Sequence, residues 1–340
     1  MKKLLLLFAV LLTTVGAWAH EVVTYINVNN VYKLHCNASS HASGTPQGKY
    51  LADDADGNIL GRSDEGTYFC FEKADGENLY YIKNVKTGKY INAEASSNAP
   101  VTTSTDKAGA TVWTLRVPTH TTGVVTFGLP GDFYLNNNGG EGSQYLKANY
   151  HNGGPAANNA CSLWQLEDHG TLVTLVNVQK DGTEYALYIN NGALDKTKLT
   201  GETTIESLGD NAKFVATKLA NGKYTFYNVA NKVYMIWRGK SGGHNDDKGV
   251  LETYNSAYCD WTIVSSHGDG REGTMSLYGK RGDNSNGSLI LLSNGNFDAY
   301  GHSLGWADGF SNVFQIDNLA HFTYTFKHDG ETKGTQESFI

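Results

Sequence analysis

Several things are missing from this chain of 340 residues, and each absence removes a class of function. No run is rich in lysine or arginine, and the net charge is −7, falling to −9 once Lys2 and Lys3 leave with the N-terminal segment. Such a chain has no electrostatic footprint for nucleic acid or other polyanions. Beyond residue 20 no stretch is long and apolar enough to span a bilayer. No sustained i, i+3, i+4 apolar stripe occurs, so helix content is predicted to be very low. Gly-x-Ser-x-Gly and His-Glu-x-x-His are absent, and the four cysteines, Cys36, Cys70, Cys161 and Cys259, match no zinc spacing. The eleven histidines are scattered, and no pair of carboxylates stands apart from the turn acids as a glycosidase pair requires. No catalytic residue, metal site or cofactor is predicted. Proline (5) and methionine (3) are scarce, while glycine (39) and tyrosine (20) are plentiful, a composition that suits strands joined by many turns.

The N-terminus reads as a secretory signal. Lys2 and Lys3 precede the apolar Leu4 to Leu12, and Ala17-Trp18-Ala19 supplies a small-x-small cleavage site. Residues 1–19 are therefore expected to be removed, and a secreted, periplasmic or cell-surface location follows. An exported chain can form disulfides; Cys36 with Cys70 is the most local of the pairings, although Cys70 alternates with the inward Phe69 and Phe71.

The strongest pattern is a recurrence. An aromatic, one residue, then an apolar residue closes a strand-like run at Phe69/Phe71, Trp113/Leu115, Trp164/Leu166, Phe214/Ala216, Trp261/Ile263 and Phe314/Ile316. The gaps between the aromatics are 44, 51, 50, 47 and 53 residues, and a longer period of 145 to 150 residues relates the first three to the last three. Repeats of this length, each too small to bury a core alone, are expected to share one core per block of three. The second repeat is the cleanest: a strand from Leu79 to Val85, the turn Lys86-Thr87-Gly88, and a return strand in which Tyr90 sits opposite Tyr81 or Ile82. Tyr224 to Tyr234 mirrors it in the second block. Trp113, Trp164 and Trp261 are assigned to the core. After the last repeat, His321 to Phe326 alternates like a strand and Asp329-Gly330 signals a hairpin turn.

Three four-stranded repeats, each ending in aromatic-x-aliphatic with hairpins of the type Tyr-Ile-Lys-Asn-Val-x-x-Gly-Lys-Tyr, resemble the ricin-type β-trefoil lectin family over nearly all of residues 22 to 318. The resemblance implies an all-β chain of two tandem β-trefoils, residues 20–168 and 169–318, with 319–340 as a C-terminal hairpin or the start of a further domain. It implies glycan or glycoprotein as the partner. The family closes each repeat with Gln-x-Trp; here the Gln position holds Thr67, Thr111, Ser162, Ala212, Cys259 and Asn312. The leader and the Asn, Gly and Tyr content are similar to secreted proteins of Bacteroidetes type, in which such modules accompany glycan-degrading enzymes.

A sugar site needs an aromatic face and an acid or amide that grips neighbouring hydroxyls. The best local cluster is Phe297-Asp298-Ala299-Tyr300-Gly301-His302 with Trp306, Asp308 and Asn312, and the corresponding stretch in the first block is Lys147 to Asn152. By the family pattern Asp298, Tyr300 or Trp306, and Asn312 carry binding, with His302 beside them. Trp237-Arg238 is a second candidate platform, the alternative for Trp237 being a strand residue with its ring in the core. Asp53 to Asn58 has oxygen donors in alternation but no terminal acid for a calcium loop, so a solvated turn is expected. Three functions stay open: a non-catalytic carbohydrate-binding protein or module, a protein-interaction scaffold with degenerate sugar sites, and a secreted glycoside hydrolase such as a sialidase.

Overall fold

A computed structural model describes residues 21–36, 50–53, 59–63, 65–137, 146–155, 157–238, 248–265, 274–280, 286–292, 297–300, 306–307, 310–319, 321–328 and 331–339. The regular structure of these residues is almost entirely antiparallel strand. The helical turns among them are short, Ala157–Ser162, Ile205–Leu208, Gly209–Ala212 and Ser256–Cys259. The chain divides into two compact units. The first is built on Tyr32–Ile82 and Tyr90–His169, and the second gathers Gly170–Ile340 with the short stretches Asn27–Val31 and Lys83–Lys89.

In the first half of the chain, the first and fourth strands of each repeat make a ring. Asn30–Cys36 pairs with Phe69–Lys73. A hairpin joins Phe69–Lys73 to Leu79–Asn84, with Ala74 N–H donating to Leu79 O at 2.9 Å. Leu79–Asn84 pairs with Trp113–Arg116, which pairs with Thr126–Leu129. Val125 and Trp164 then exchange backbone hydrogen bonds at 2.8 and 2.9 Å, and the strand Trp164–Val173 returns to Asn30–Cys36. No strand in this circuit ends in an open edge, which is how small antiparallel proteins remove a template for aggregation. The second and third strands stand off the ring as hairpins, Tyr50–Asp53 with Ile59–Ser63, Tyr90–Asn92 with Thr102–Ser104, and Phe133–Asn136 with Lys147–Tyr150.

The second half repeats the circuit. Leu175–Val178 pairs with Phe314–Ile316, which meets Met275–Lys280, and this pairs with Thr262–Ser265. Trp261 and Tyr224 bridge at 2.7 and 2.8 Å, Tyr224–Asn228 pairs with Phe214–Lys218, and Phe214–Ala216 pairs with Thr171–Val173. After this ring His321–His328 and Glu331–Phe339 form the hairpin expected from Asp329-Gly330, two residues that lie outside the described set. Residues 1–20, where a secretory leader is expected from the sequence, lie outside it too.

The periodic aromatics explain the cores. All six are fully buried, and their i+2 partners are buried with them because alternate residues of a strand share a face. Phe69, Trp113 and Trp164 belong to one apolar cluster, and Phe214, Trp261 and Phe314 to another. Each tryptophan also needs a partner for its indole N–H. Trp113 Nε1 donates to Ile91 O, Trp164 Nε1 to Leu135 O and Trp261 Nε1 to Met235 O, at 3.1, 3.1 and 3.0 Å. The three acceptors lie on the corresponding second strands, so each indole ties the fourth strand of its repeat to the second.

The Lys86-Thr87-Gly88 turn forms as expected. Asn84 Oδ1 accepts from Lys86 N–H and Thr87 N–H at 2.9 and 3.0 Å, and Gly88 takes the positive φ of 68°. Asn228 fills the same place in the fifth repeat. Its Oδ1 accepts from Asn231 N–H, and its Nδ2 donates to the carbonyls of Asp210, Asn211 and Lys213 at 3.0 to 3.1 Å.

One glycine is required by contact. Gly170 has φ of +105°, and a Cβ there would lie 2.2 Å from Ala216 O, backbone that cannot move aside without breaking the pairing of Thr171–Val173 with Phe214–Ala216. Gly170→Ala is expected to destabilise the chain by about 3 kcal/mol or more. Gly222→Ala, at φ of +78° with nothing within 4 Å, should cost only about 1 kcal/mol. Denaturant unfolding of the two variants checks the difference.

Candidate functional site

The residues singled out from the sequence do not converge in one place. Asp298 and Tyr300 lie on the strand Phe297–Tyr300, opposite Ile290 and Ser288. Trp306 stands opposite Ser311 in a two-residue ladder. For these three the description is of the backbone, and His302 and Asp308 lie outside the described residues. Two assignments are corrected. Asn312 is fully buried and donates from Nδ2 to Ser288 Oγ at 3.1 Å, so its amide serves the interior and not a ligand. Trp237 is 2% exposed and sits in the second apolar core with Val233 and Met235, the alternate residues of the same run. Its ring offers no face to a sugar. Arg238 turns the other way, donating to Leu194 O and lying over the Phe297 ring at 5.6 Å. The Trp-Arg platform is therefore absent. Asp53 takes a hydrogen bond from the Thr67 hydroxyl, and Asp54 to Asn58 lie outside the described residues.

The structure assembles a different set of aromatics, and it does so twice. In the second repeat the Tyr81 and Tyr90 rings pack edge to face at 6.1 Å. Glu72 accepts the Tyr90 hydroxyl at 3.1 Å and pairs with Lys107 Nζ at 2.6 Å, and Lys107 lies 5.0 Å over Tyr81. In the fifth repeat Tyr227 and Tyr234 pack at 4.7 Å. Here Tyr254, in the loop position that Lys107 holds, packs on Tyr234 at 5.7 Å. A cation caps the tyrosine pair in one repeat and a third aromatic caps it in the other.

Around Tyr254 the surface opens into a cavity of about 670 Å³. Asn231, Lys248, Glu252, Thr253 and Asn255 supply polar groups, and Val233, Val250 and Leu251 form an apolar floor. Lys248, Glu252 and Thr253 are exposed and Tyr254 is half-buried. The Tyr254 hydroxyl donates to Asp260 Oδ1 at 2.8 Å, while Asp260 Oδ2 accepts from Asn221 Nδ2 at 3.2 Å. Burial first, then that bond to a carboxylate, pushes the Tyr254 phenol well above its ordinary range. It stays protonated, and its ring is fixed in orientation. One aromatic wall, an acid, an ammonium and two amides over an apolar floor match the mixed character of a pyranose, which has C–H faces and a rim of hydroxyls. The site was partly visible beforehand, since the Tyr227/Tyr234 pair mirrors Tyr81/Tyr90. The missing signal was positional: Tyr254 and Lys107 precede their closing tryptophans by seven and six residues.

A second polar cluster lies in the first unit. Glu167 accepts the Tyr50 hydroxyl at 2.8 Å and stands 3.7 Å from His169 Nε2. His35 stacks on Tyr50 at 4.5 Å and bonds Gln165 Oε1 at 3.0 Å, and Tyr68 packs edge to face on His169. This arrangement repeats the Glu72–Tyr90 contact. The residue three beyond each closing aromatic, Glu72, Arg116 or Glu167, meets a tyrosine hydroxyl, of Tyr90, Tyr134 or Tyr50.

No protein-family model matches the chain, and no curated protein matches it. Among solved structures it is similar to a mosquitocidal holotoxin at 13% identity, over 84% of this chain and 33% of the toxin, with a TM-score of 0.33. This chain thus spans about a third of the toxin's length. It is also similar to SeviL, solved bound to asialo-GM1 saccharide, at 18% identity over 40% of this chain and 95% of SeviL, with a TM-score of 0.28.

The Glu167 cluster predicts an acid response. Burial pushes the Glu167 carboxyl up, but the neighbouring His169 and the hydrogen bond from Tyr50 outweigh it, and the group titrates below its ordinary 4.5. Burial holds His169 below its ordinary 6.5, against the pull of Glu167. Both values are depressed on folding, so their stabilisation is complete above the unfolded values and is lost as pH falls through the folded ones. Melting temperature should drop as pH falls below 6.5 and again below 4.5. His169→Gln should flatten the upper part of that profile, measured by thermal melts from neutral to acid pH.

Proposed function

We propose that this chain is an exported, non-catalytic glycan-binding protein or module made of two tandem β-trefoils, residues 20–168 and 169–318. The single observation that carries the reading is the cavity beside Tyr254, where an aromatic ring held by Asp260 stands over an apolar floor with Glu252, Lys248 and Asn231 at its rim. Tyr254 stacks on the sugar C–H face, and Glu252 and Asn231 take adjacent hydroxyls. A shallow site of this kind binds a single sugar at roughly millimolar strength, about −4 kcal/mol. Two linked trefoils raise the effective concentration where a polymer or a dense surface presents several copies. Asp298, Tyr300, His302 and Trp306 remain the second candidate site, in the sixth repeat.

A protein-interaction scaffold is the second reading. It is favoured by the use of the positions that hold Gln in the resembled family. Thr111 exchanges hydrogen bonds with the Ala93 backbone at 3.0 and 3.1 Å, and Ser162 binds Asn136 and His151. These groups hold turns together and leave nothing for a sugar.

A glycan array on residues 20–320 separates the readings, with Tyr254→Ala/Glu252→Ala and Asp298→Ala/Trp306→Ala double variants alongside the parent. The first variant is expected to lose about tenfold or more in affinity while the second keeps parental binding, since about 1.4 kcal/mol corresponds to a factor of ten. Loss only in the second variant moves the site to the sixth repeat. A folded parent that binds nothing sinks the lectin reading in favour of the scaffold.

A further inference from the structure

Cys36 and Cys161 are the two thiols that the fold brings together. Cys36 ends the strand Asn30–Cys36 facing inward, and Cys161 lies in the 3-10 turn Ala157–Ser162 just before the closing Trp164. Both are buried, at 0% and 2% exposure, and both belong to the first apolar core. Cys36 Sγ stands 3.8 Å from the carbonyl oxygens of Ala160 and Cys161. The neighbouring Cys36 draws the Cys161 thiol below its ordinary value, against burial. Cys70 is on the strand Phe69–Lys73, in the outward phase set by the buried Phe69 and Phe71, so the local pairing of Cys36 with Cys70 has its side chains on opposite faces. Cys259 is fully buried at the end of the helical turn Ser256–Cys259, accepts Asn255 N–H at 3.4 Å, and is pushed up to about 11 chiefly by burial.

We propose that Cys36 and Cys161 form a disulfide, which fastens the first strand of the first unit to the last turn of that unit. The oxidant is an external disulfide, of a small thiol or of a thiol oxidase. The Cys161 thiolate attacks one of its sulfurs while the chain is still folding, and one oxidant thiol leaves. The Cys36 thiolate then attacks the Cys161 sulfur of the mixed disulfide, and the second oxidant thiol leaves. The protein gives up two electrons and two protons and the oxidant becomes two thiols. A link across a loop of this length mainly restricts the unfolded chain, so it stabilises without needing to alter the native contacts. The pairing rests on geometry within the first unit and holds whether or not the chain binds glycan.

The test refolds the reduced, denatured full chain with oxidised glutathione, then counts thiols and maps tryptic peptides by mass. The expected result is two titratable thiols, Cys70 and Cys259, with a Cys36–Cys161 linked peptide lighter by two hydrogens. Adding reductant to that sample should lower the melting temperature by about 5 °C or more. A Cys70→Ser/Cys259→Ser variant should oxidise to the same link and leave no titratable thiol. Four thiols after refolding to the native fold, or a mapped link through Cys70 or Cys259, would overturn the proposal. A mapped link with a melt unmoved by reductant would overturn its fastening role.

Discussion

The indole N–H is the constraint on which the rest is arranged. A tryptophan buried in an apolar core carries one donor that must be satisfied, and leaving it unpaired costs about 1–3 kcal/mol. For Trp113, Trp164 and Trp261 the acceptor is a carbonyl on the second strand of the same repeat. That bond sets the height of the hairpin above the ring, and the hairpin in turn sets where the loop tyrosines stand. At two of the three positions where phenylalanine replaces tryptophan, Phe214 and Phe314, an asparagine grips the segment before it. Asn228 holds the three carbonyls ahead of Phe214, and Asn177 Nδ2 donates to Ser311 O and Val313 O ahead of Phe314. Two chemistries thus answer one geometric need.

The equivalence of Lys107 and Tyr254 shows how one scaffold position yields different surfaces. Both cap a tyrosine pair from the loop before a closing tryptophan. Lys107 reaches back to Glu72, so acid and cation are committed to each other, and the contact lifts the Lys107 ammonium above its usual value. Tyr254 directs its polar end to Asp260 and keeps its ring beside an open cavity. The same contrast runs through Glu72, Arg116 and Glu167, which meet tyrosine hydroxyls with opposite charges from one register position.

The buried aromatics and their alternate partners were legible in the sequence because they recur six times, while the Lys86-Thr87-Gly88 turn and the scarcity of helix followed from turn chemistry and the lack of a helical stripe. The single-copy features were not. Trp237 next to Arg238 in a glycine-rich stretch looked like a loop platform, yet Val233, Met235 and Trp237 share one face of a strand run, and the core claimed the ring. Asn312 looked like a ligand amide because it completes the acid, aromatic and amide set of the resembled family, but Ser288 takes its donor. Proximity in sequence favoured Cys36 with Cys70, although strand alternation points them apart and a 3-10 turn from another repeat supplies Cys161. The short helix at Ile205–Leu208, with its Thr204/Ser207 capping box, is too brief to leave a periodic trace.

Ring closure also fixes an order of events. Glu21, Val22 and Val23 pair with Asp168, Glu167 and Leu166, so the earliest described strand finds its partner nearly a full block later. That strand keeps an open edge until almost half of the chain is available to it. Nothing local can complete the first ring, and its folding is governed by contacts of high sequence separation, which form slowly. A first block that is cut short or delayed therefore presents an adhesive edge where a complete one presents a closed ring.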